Sequence, residues 1–570
     1  MSYFLKKSKL KNGIYLQIYE SYYDPQRKYG AHRSYKALGY VDKLKESGIA
    51  DPIAYYSEEV ERLNAETKAK KQKQRVCKIS DETPERHVGY FPIKAINEAL
   101  NVRMLMNLIQ MNESFKFNVF DMMSALIYAR IVKPCSKNRT YNEILPKLAE
   151  EISFTQNQMY EGLEYIGREY ERIIEYYNNQ IRSIYKFDTS NTYFDCTNFY
   201  FEIDKEDDFR RKGPSKENRR EPIVGMGLLL DANQIPICMR MYPGNQSEKP
   251  VLRSTIDSLK RQYSIKGRTI RVADKGLNCS ENIAHALLEH DGYIFSRSVK
   301  TLSAIETDWV VQEEGYKDIK DTDGSLLYRV KECIGEFEYT VKAEDGKTKE
   351  VLLPEKRVVT FNPKLAEKQI YEINREVEKA RKLSTSAAMR SEYGDCARYV
   401  QFVAVDKSGE ATEDKTVAKI NEDAIKRAKS LAGYNLLVTS EVRMPASRVY
   451  EIYHNLWRIE ESFRIMKSEL DARPVFLQKQ ETITGHFLIC YLVVVLTRLL
   501  QFKELKNECH SEELFNFFRD FRVAKISENQ YLNLARDCPL INRLEQKTKL
   551  PLTSYLLSET DLKKIMCFRF

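Results

Sequence analysis

The sequence contains little tryptophan, glycine and proline, with 2, 22 and 17 of these residues in 570. So few glycines and prolines exclude a collagen-like or low-complexity chain. Hydrophobic residues make up 42% and charged residues 30% of the chain, a globular balance that excludes a mostly disordered protein. A chain of this length has room for several modules with sizeable cores.

Signals for secretion and for membrane insertion are also lacking. The first residues, MSYFLKKSKLKNG, have no apolar core, and the 11 cysteines form no CxxC pair. These features predict reduced thiols in the cytoplasm. The strongest apolar run, 487–496, is well short of the ~20 residues that cross a bilayer, so it predicts a buried helix and no membrane partner.

Nucleotide and zinc-peptidase motifs are absent. The sequence has no HExxH, no Walker loop and no dinucleotide fingerprint, so no nucleotide partner is expected.

Positive charge is concentrated near the N-terminus. The net charge is +9, and the first fifty residues carry ten Lys or Arg against four acids, a local +6. Such a basic module on a near-neutral body favours binding to a polyanion, most often nucleic acid. The alternative is a solvated surface that happens to be basic.

Periodicity divides the chain into a basic β-hairpin and charged helix, a helical region, and a strand-rich centre. The centre shows three strands (191–203, 221–231 and 234–242), followed by a helix (251–263), a strand (269–273), a second helix (280–290) and a further strand (292–296). This order predicts an α/β fold with a ribonuclease H-like mixed sheet as its core.

Residues 300–432 interrupt that pattern with short strands, Asp-Gly turns at 323–324 and 345–346, and a charged helix. They are too long for a loop and predict a β-rich inserted subdomain. The predicted divisions are a basic N-terminal module (1–85), a helical region (86–187), the first part of the core (188–299), the insertion (300–432), the second part of the core (433–500) and a helical C-terminal region (501–570).

Three acids occupy positions that favour chemistry. Asp195 lies inside an apolar strand, where an acid is costly unless it is paired, protonated or bound to a metal. Asp274 ends a strand in VADKG, and Glu460 lies on a helix in YHNLWRIEESFRIMK. For Asp274 the alternative is a helix cap or turn former, and for Glu460 a solvated surface glutamate.

The helix that carries Glu460 has an unusual stripe. Tyr453, Glu460 and Lys467 are seven residues apart, and Trp457 and Arg464 join them at offsets of four, whereas the next residue, a second glutamate, is rotated by about 100°. A stripe of aromatic, acidic and basic residues is typical of a surface that holds phosphates and offers a carboxylate to a metal.

The pattern Tyr453-x2-Leu456-x3-Glu460-x6-Lys467 is similar to the tyrosine, arginine, glutamate, lysine signature of bacterial insertion-sequence DDE transposases, in the insertion-sequence-four superfamily. YFDCTNFYFE around Asp195, VADKGL around Asp274, the β-rich insertion, RPVFL and GHFLICYLVVVL resemble that family in order and spacing. The signature arginine is replaced by Leu456. Arg458 or Arg464 is expected to supply the missing charge, and we favour Arg464 because it lies on the stripe.

The resemblance implies that Asp195, Asp274 and Glu460 form a triad holding two Mg²⁺ ions, with Mn²⁺ able to substitute. It also implies that Tyr453 and Lys467 contact DNA phosphates and that Trp457 stacks on an extruded base. The implied partners are double-stranded DNA, as transposon ends and target, and a second copy of the chain. The implied location is the bacterial cytoplasm, at the nucleoid.

A second basic segment lies close to Asp195. Residues 205–220 hold seven cations against four acids, and Arg210, Arg211, Lys212 and Lys216 are candidate DNA contacts. The alternative is a solvated loop. The segment GNQSE at 244–248 also resembles the family and predicts a turn and helix cap without a chemical role.

The predicted function is a transposase that binds terminal inverted repeats, cuts DNA and joins the ends to a target. Two alternatives stay open: a nuclease of the same fold without strand transfer, and a catalytically inactive DNA-binding protein.

Overall fold

The computed structural model describes residues 2–24, 29–74, 83–217, 220–262, 264–342, 348–385, 392–405 and 411–570. The chain forms two compact units, one of Met1–Val88 with Asp520–Met566 and one of Gly89–Arg519 with Cys567–Phe570. Arg219 and the turn predicted at 345–346 lie outside the described residues.

The N-terminal segment forms a three-stranded antiparallel sheet and a helix. Its elements are β1 (Ser2–Leu10), β2 (Gly13–Asp24), β3 (Tyr29–Tyr40), α1 (Val41–Glu46), α2 (Pro52–Gln74) and β4 (Glu85–His87). Asn64 of α2 exchanges two hydrogen bonds with the backbone of Tyr3, at 2.7 and 2.9 Å, and so fixes the helix to β1. The predicted hairpin and charged helix are therefore present, with a third strand that the sequence did not indicate.

The region predicted to be helical contains α3 (Phe91–Ala99), α4 (Val102–Gln110), α5 (Val119–Val132), α6 (Lys137–Arg139), α7 (Gln156–Arg168) and α8 (Tyr170–Ile184). Helix α5 is buried along almost its whole length. Asn118 caps its N-terminus by accepting a hydrogen bond from the Asp121 amide at 3.0 Å.

The strand-rich centre follows the predicted order. It contains β5 (Asn191–Tyr200), β6 (Ile223–Leu230), β7 (Pro236–Pro243), α9 (Lys249–Arg261), β8 (Ile270–Ala273), α10 (Ser280–Leu288) and β9 (Gly292–Arg297). Apolar side chains of β5, β6 and β7 pack with those of α9 and α10 in one buried cluster. This part of the prediction is confirmed to within a few residues at each boundary.

The next segment contains α11 (Ala304–Val311), β10 (Lys317–Lys320), β11 (Leu326–Lys342), β12 (Thr348–Phe361), α12 (Pro363–Thr385), β13 (Val400–Val405), β14 (Ala411–Ile420), α13 (Glu422–Ser430) and β15 (Tyr434–Thr439). The turn predicted at 323–324 joins β10 to β11, where Gly324 has φ +84° and donates a hydrogen bond to the Asp321 carbonyl. Strands β11 and β12 are long, although short strands were predicted.

Nine strands in the described residues form one mixed sheet in the order β10-β11-β12-β15-β9-β8-β5-β6-β7. Strands β5, β8 and β9 are parallel, and the other pairs are antiparallel. Strands β10, β11 and β12, from the segment predicted to be an insertion, are therefore part of the large sheet, and β13 and β14 form a separate two-stranded sheet. The prediction of an α/β fold with a large mixed sheet is confirmed.

The helix predicted to carry Glu460 is broken in the structure. It divides into α14 (Ala446–His454), α15 (Trp457–Arg464) and a π-helical turn, Ile465–Glu469. It is followed by α16 (Gln480–Arg498) and α17 (Ser511–Asp520). Among the described residues, Gln480–Glu504 is long and apolar enough to cross a membrane, but its most apolar window is entirely buried inside the protein, as predicted for 487–496.

The C-terminal segment is not wholly helical, which corrects the prediction for 501–570. It contains β16 (Arg522–Ser527), β17 (Gln530–Asn533), α18 (Pro539–Thr548), β18 (Leu556–Ser558) and α19 (Glu559–Met566). The three short strands form a sheet with β4 in the order β18-β17-β16-β4. The pairing of β16 with β4 joins segments more than 400 residues apart, and local periodicity does not reveal such pairing.

Candidate active site

Asp195 and Asp274 lie side by side on neighbouring parallel strands. Strands β5 and β8 pair with Phe194 opposite Ala273, so the next residue on each chain is an aspartate at the same level. Asp274 follows the last residue of β8, and its carbonyl accepts a hydrogen bond from the Leu277 amide at 3.0 Å. The sheet thus brings together two carboxylates that are 79 positions apart in the sequence.

The Asp195 side chain is partly buried, with 22% of its surface exposed. Burial raises its pKa to about 6, with further increases from the charges of Glu248 and Asp274. Lys216 and the hydrogen bond that the Cys196 amide donates to Asp195 at 2.7 Å oppose this shift. Asp195 is therefore poorly stabilised as an anion in the isolated protein, which is typical of a carboxylate that receives a cation from outside.

Lys216 lies between the carboxylates of Asp195 and Glu248. Its Nζ is 3.7 Å from Asp195 Oδ1 and 3.6 Å from Glu248 Oε1, and it donates a hydrogen bond to the Cys196 carbonyl. Lys216 was predicted to contact DNA, and in the structure its charge is directed at these carboxylates. Its side chain remains 41% exposed.

Tyr453 connects α14 to Asp195 and Asp274, which we call the acidic pair. Its hydroxyl donates a hydrogen bond to Asp274 Oδ1 at 3.0 Å. Burial, with the charge of Asp274, raises the pKa of Tyr453 far above its usual value, so the phenol keeps its proton and acts as a donor. Tyr453 therefore orients Asp274.

The two adjacent glutamates of α15 have different surroundings. Glu460 is exposed, whereas Glu461 is buried and lies 3.1 Å from Arg498. Ser511 also donates a hydrogen bond to Glu461 at 3.1 Å. The pKa of Glu461 is lowered because these contacts outweigh its burial. Glu461 therefore holds the core together, and Glu460 is the glutamate of this pair that is available to a ligand.

A divalent cation fits the acidic pair in part. Two adjacent carboxylates supply the oxygen ligands that Mg²⁺ prefers, and a lysine ammonium lies against one of them. In the part of the chain that the structure describes, no group of three or more Asp, Glu, His or Cys side chains is placed to hold a metal. The structure thus joins Asp195 and Asp274 but does not bring Glu460 into a metal-binding group with them.

The predicted phosphate contact Lys467 is held by an acid. Its Nζ donates a hydrogen bond to Glu217 Oε1 at 3.0 Å, and Arg473 pairs with the other carboxylate oxygen of Glu217. Two cations from the segment after α15 therefore share one carboxylate from the basic loop, residues 205–217. Lys467 and Arg473 are both less than one quarter exposed.

The basic loop 205–217 is partly neutralised by its own acids. Arg210 pairs with Asp207 at 2.6 Å and is largely buried, while Arg211 lies 3.0 Å from Asp208. Lys212 is exposed. These contacts favour a structural role for Arg210, and they leave Lys212 as the more accessible of the predicted DNA contacts in the loop.

Close packing between two glycines fixes this loop beside β7. A Cβ atom on Gly213 would lie 2.1 Å from the Gly244 carbonyl oxygen, and one on Gly244 would lie 2.2 Å from the Ile223 carbonyl oxygen. No side chain fits at either position. The loop can therefore approach the acidic pair closely enough for Lys216 to reach Asp195.

The remaining residues of the predicted stripe differ in exposure. Trp457 is 43% exposed and Arg464 is exposed. The Arg458 guanidinium lies over the Trp457 ring at 4.0 Å and is 3.6 Å from Glu461, so it is directed inwards. Of the two arginines proposed to replace the signature arginine, Arg464 is the accessible one, and Leu456 is buried.

Two open cavities flank the acidic pair. One, of about 390 Å³, is lined by Asp274 and Tyr453 and has the exposed Lys275 and Lys300 on its wall. The other, of about 380 Å³, is lined by Lys216 and Glu248. Acids line both recesses as well, since Glu372 and Glu376 belong to the first, and each recess has one cation more than it has acids. This small positive excess is compatible with an extended anionic ligand.

Two acids near the site were not identified from the sequence. Glu217 holds Lys467, and Glu248 lies beside Lys216. Glu248 belongs to the family-like segment 244–248, which was predicted to cap a helix. It precedes α9, but its side chain makes no capping hydrogen bond.

Comparison with known protein families finds a match to this part of the chain. The family model of the transposase DDE domain matches residues 194–496, more than half of the chain, and this range includes Asp195, Asp274 and Glu460. A search of curated proteins finds no match.

Among solved structures, the chain is similar to a chain in the cryo-EM structure of the piggyBac transposase synaptic complex with hairpin DNA. The TM-score is 0.34 and the identity 8%, over 75% of this chain and 77% of that one. A score this low carries no argument about function. The family match, by contrast, spans the acidic pair and the segment that follows it, and on that match the chain belongs to the transposase DDE domain family.

Proposed function

We propose that this protein is a cut-and-paste DNA transposase of the insertion-sequence-four superfamily. It binds the terminal inverted repeats of its own element, cleaves the DNA at the ends and joins them to a target. The observation that carries the proposal is the acidic pair on β5 and β8, with Tyr453 donating a hydrogen bond to one of its members, inside a DDE transposase domain.

The core is proposed to be ribonuclease H-like. Three consecutive antiparallel strands, β5, β6 and β7, are followed in the chain by α9, β8, α10 and β9, and β8 is parallel to both β5 and β9. This order places the first aspartate in the first strand and the second at the end of the fourth. The two acids are neighbours because β8 pairs directly with β5.

Asp195, Asp274 and Glu460 would hold two Mg²⁺ ions, or Mn²⁺ in their place, and such ions would supply Lewis acidity for the attack of water or a DNA 3′-hydroxyl on the phosphate. The protein's own residues prepare for this cation. Burial disfavours a negative charge on Asp195 until a cation arrives, and Tyr453 fixes the orientation of Asp274. Lys216 supplies a positive charge beside Asp195 in the meantime.

The DNA backbone is proposed to lie across the stripe and the two recesses beside the acidic pair. Lys467 and Arg473 now share Glu217, so a DNA phosphate would compete with that carboxylate for them. Exposed Arg464, Lys212 and Trp457 provide further phosphate contacts and a stacking surface. Arg210, Arg211 and Arg458 would act mainly by supporting this surface, because each pairs with an acid.

The N-terminal sheet is proposed to recognise the repeat. Lys7, Lys9 and Lys11 are exposed on or beside β1, and the local charge of +6 supplies attraction to the DNA backbone. We also propose that two copies of the chain pair the two ends, and that the protein works in the bacterial cytoplasm at the nucleoid.

A joining assay tests the proposal. A labelled DNA end taken from the repeats beside the gene is incubated with the protein, Mg²⁺ and a supercoiled plasmid, and products are resolved on a gel. We expect cleaved ends and end–plasmid joints. Cleavage without joints would indicate a nuclease, and binding with neither product would indicate an inactive DNA-binding protein.

A further inference from the structure

A third cavity in the larger unit contains an unusual concentration of buried positive charge. We call it the cationic cavity. It has a volume of about 400 Å³, and its lining shares no residue with the two recesses beside the acidic pair. Arg130, Lys137 and His486 form its inner wall, and the exposed Phe476 and Asp471 lie in its lining.

The two cations of this cavity are almost fully buried. Arg130 and Lys137 are 5% and 6% exposed. Arg130 donates a hydrogen bond to the Leu470 carbonyl at 3.3 Å. Lys137 Nζ lies 3.2 Å from His486 Nδ1.

His486 does not neutralise this charge. Its Nε2 lies 3.2 Å from the Ala472 carbonyl oxygen, which can only accept a hydrogen bond, so Nε2 carries the proton. Nδ1 is then the acceptor for Lys137. Burial lowers the pKa of His486 well below its usual value, so the ring is neutral.

No carboxylate compensates the two cations within the described residues. Neither Arg130 nor Lys137 has an acid within ion-pair distance there, and the acid in the cavity lining, Asp471, is exposed. Burial, with the charge of Arg130, lowers the pKa of Lys137 to about 7. Buried charges without a partner are costly, so an anion entering this cavity would relieve a penalty that the folded protein otherwise bears.

We propose that the cationic cavity binds a phosphoryl group between the guanidinium of Arg130 and the ammonium of Lys137. A phosphoryl group offers several acceptor oxygens and more negative charge than a carboxylate, and Ser136, Asn138 and Tyr160 bring further polar groups to the lining. The cavity is larger than a phosphate alone. The group is therefore carried either by a DNA strand or by a free phosphate compound.

Calorimetric titration with inorganic phosphate tests the site itself, on the full chain at constant ionic strength. Lys137→Met removes the buried charge while keeping a similar length, and Lys133→Met is the matched control because Lys133 is exposed on the same segment. We expect phosphate to bind wild type and Lys133→Met equally and Lys137→Met about 10- to 100-fold more weakly, as befits a charged hydrogen bond. Absence of phosphate binding to wild type, or equal binding to Lys137→Met, would overturn the proposal.

Fluorescence anisotropy with labelled end DNA distinguishes the two sources. If a DNA phosphate occupies the cavity, Lys137→Met lowers DNA affinity and reduces the slope of log K against log salt by about 1. If a free phosphate compound is the ligand, Lys137→Met binds DNA like wild type while its phosphate affinity falls. Either result supports the site, and the DNA source rests on the proposed function. Failure of cleavage at the acidic pair would leave the phosphate titration unchanged, so the two failures are distinguishable.

Discussion

Replacement of Asp195 by asparagine should make the protein more stable while removing its activity. The carboxyl is partly buried in the sheet, with the side chain 22% exposed, and its pKa rises from the usual 3.8 to about 6. Folding therefore holds a proton on Asp195 that the unfolded chain releases near pH 3.8. The folded state loses stability as the pH rises from 3.8 to about 6, and the deficit is complete above that range.

The size of this deficit follows from the shift. A pKa raised from 3.8 to about 6 costs the folded state about 3 kcal/mol at neutral pH. A neutral asparagine at this position would not carry that cost, but Lys216 would lose a contact at 3.7 Å. Because Lys216 is 41% exposed and keeps Glu248, this loss is about 1 kcal/mol or less. We expect Asp195→Asn to be more stable than wild type by about 2 kcal/mol at pH 8.

Urea unfolding of wild type and variant, at several pH values and without divalent cations, measures this difference. About 1.4 kcal/mol of it should develop between pH 5 and pH 8, since most other groups titrate alike in both proteins. A variant that is less stable at pH 8, or a difference that does not change with pH, would refute the reasoning. Added Mg²⁺ should stabilise wild type more than the variant.

Three further predictions concern the helices beside the pair and the N-terminal module. Glu460→Gln should retain wild-type stability and lower DNA cleavage by about 10³-fold. Glu461→Gln should instead destabilise the fold by about 3 kcal/mol, because Arg498 is left buried without its partner. Thermal unfolding and gel assays of both variants test this, and the reverse pattern would assign the catalytic role to Glu461. Tyr453→Phe should lower the cleavage rate about 10-fold through loss of its hydrogen bond to Asp274, measured in single-turnover kinetics, and an unchanged rate would contradict the orienting role. Removal of residues 1–80 should lower the affinity for repeat DNA more than the affinity for unrelated DNA in a gel-shift assay. An equal loss of affinity for both DNAs would show that the module contributes charge alone.

The order of strands and helices along the chain could be predicted for the core because each element carries its own signal. Alternation around Asp195 and the apolar run that ends at Asp274 indicated two strands that end in, or contain, an acid. Their direct pairing, which places the acids together, follows from sheet order and appears only in the structure. Glu461 and Glu460 differ by one helical step, and that rotation of about 100° was enough to separate a buried glutamate from an exposed one.

Interactions between distant segments were not predictable in the same way. Glu217 pairs with Lys467, and Lys216 reaches Asp195, through a loop whose path depends on close packing of Gly213 and Gly244. The break between α14 and α15 also escaped the periodicity, because the apolar spacing continues across it. Lys137 and His486 are 349 positions apart, and no local pattern links them.

The central claim is that the acidic pair performs divalent-cation-dependent DNA cleavage. Its most direct test compares nicking of repeat DNA by wild type, Asp274→Asn and Asp257→Asn, with and without Mg²⁺. Asp257 is a partly exposed aspartate on α9 that lies beside His285 and serves as the matched control. We predict Mg²⁺-dependent nicking by wild type and Asp257→Asn and none by Asp274→Asn, and nicking by Asp274→Asn at the wild-type rate would contradict the account.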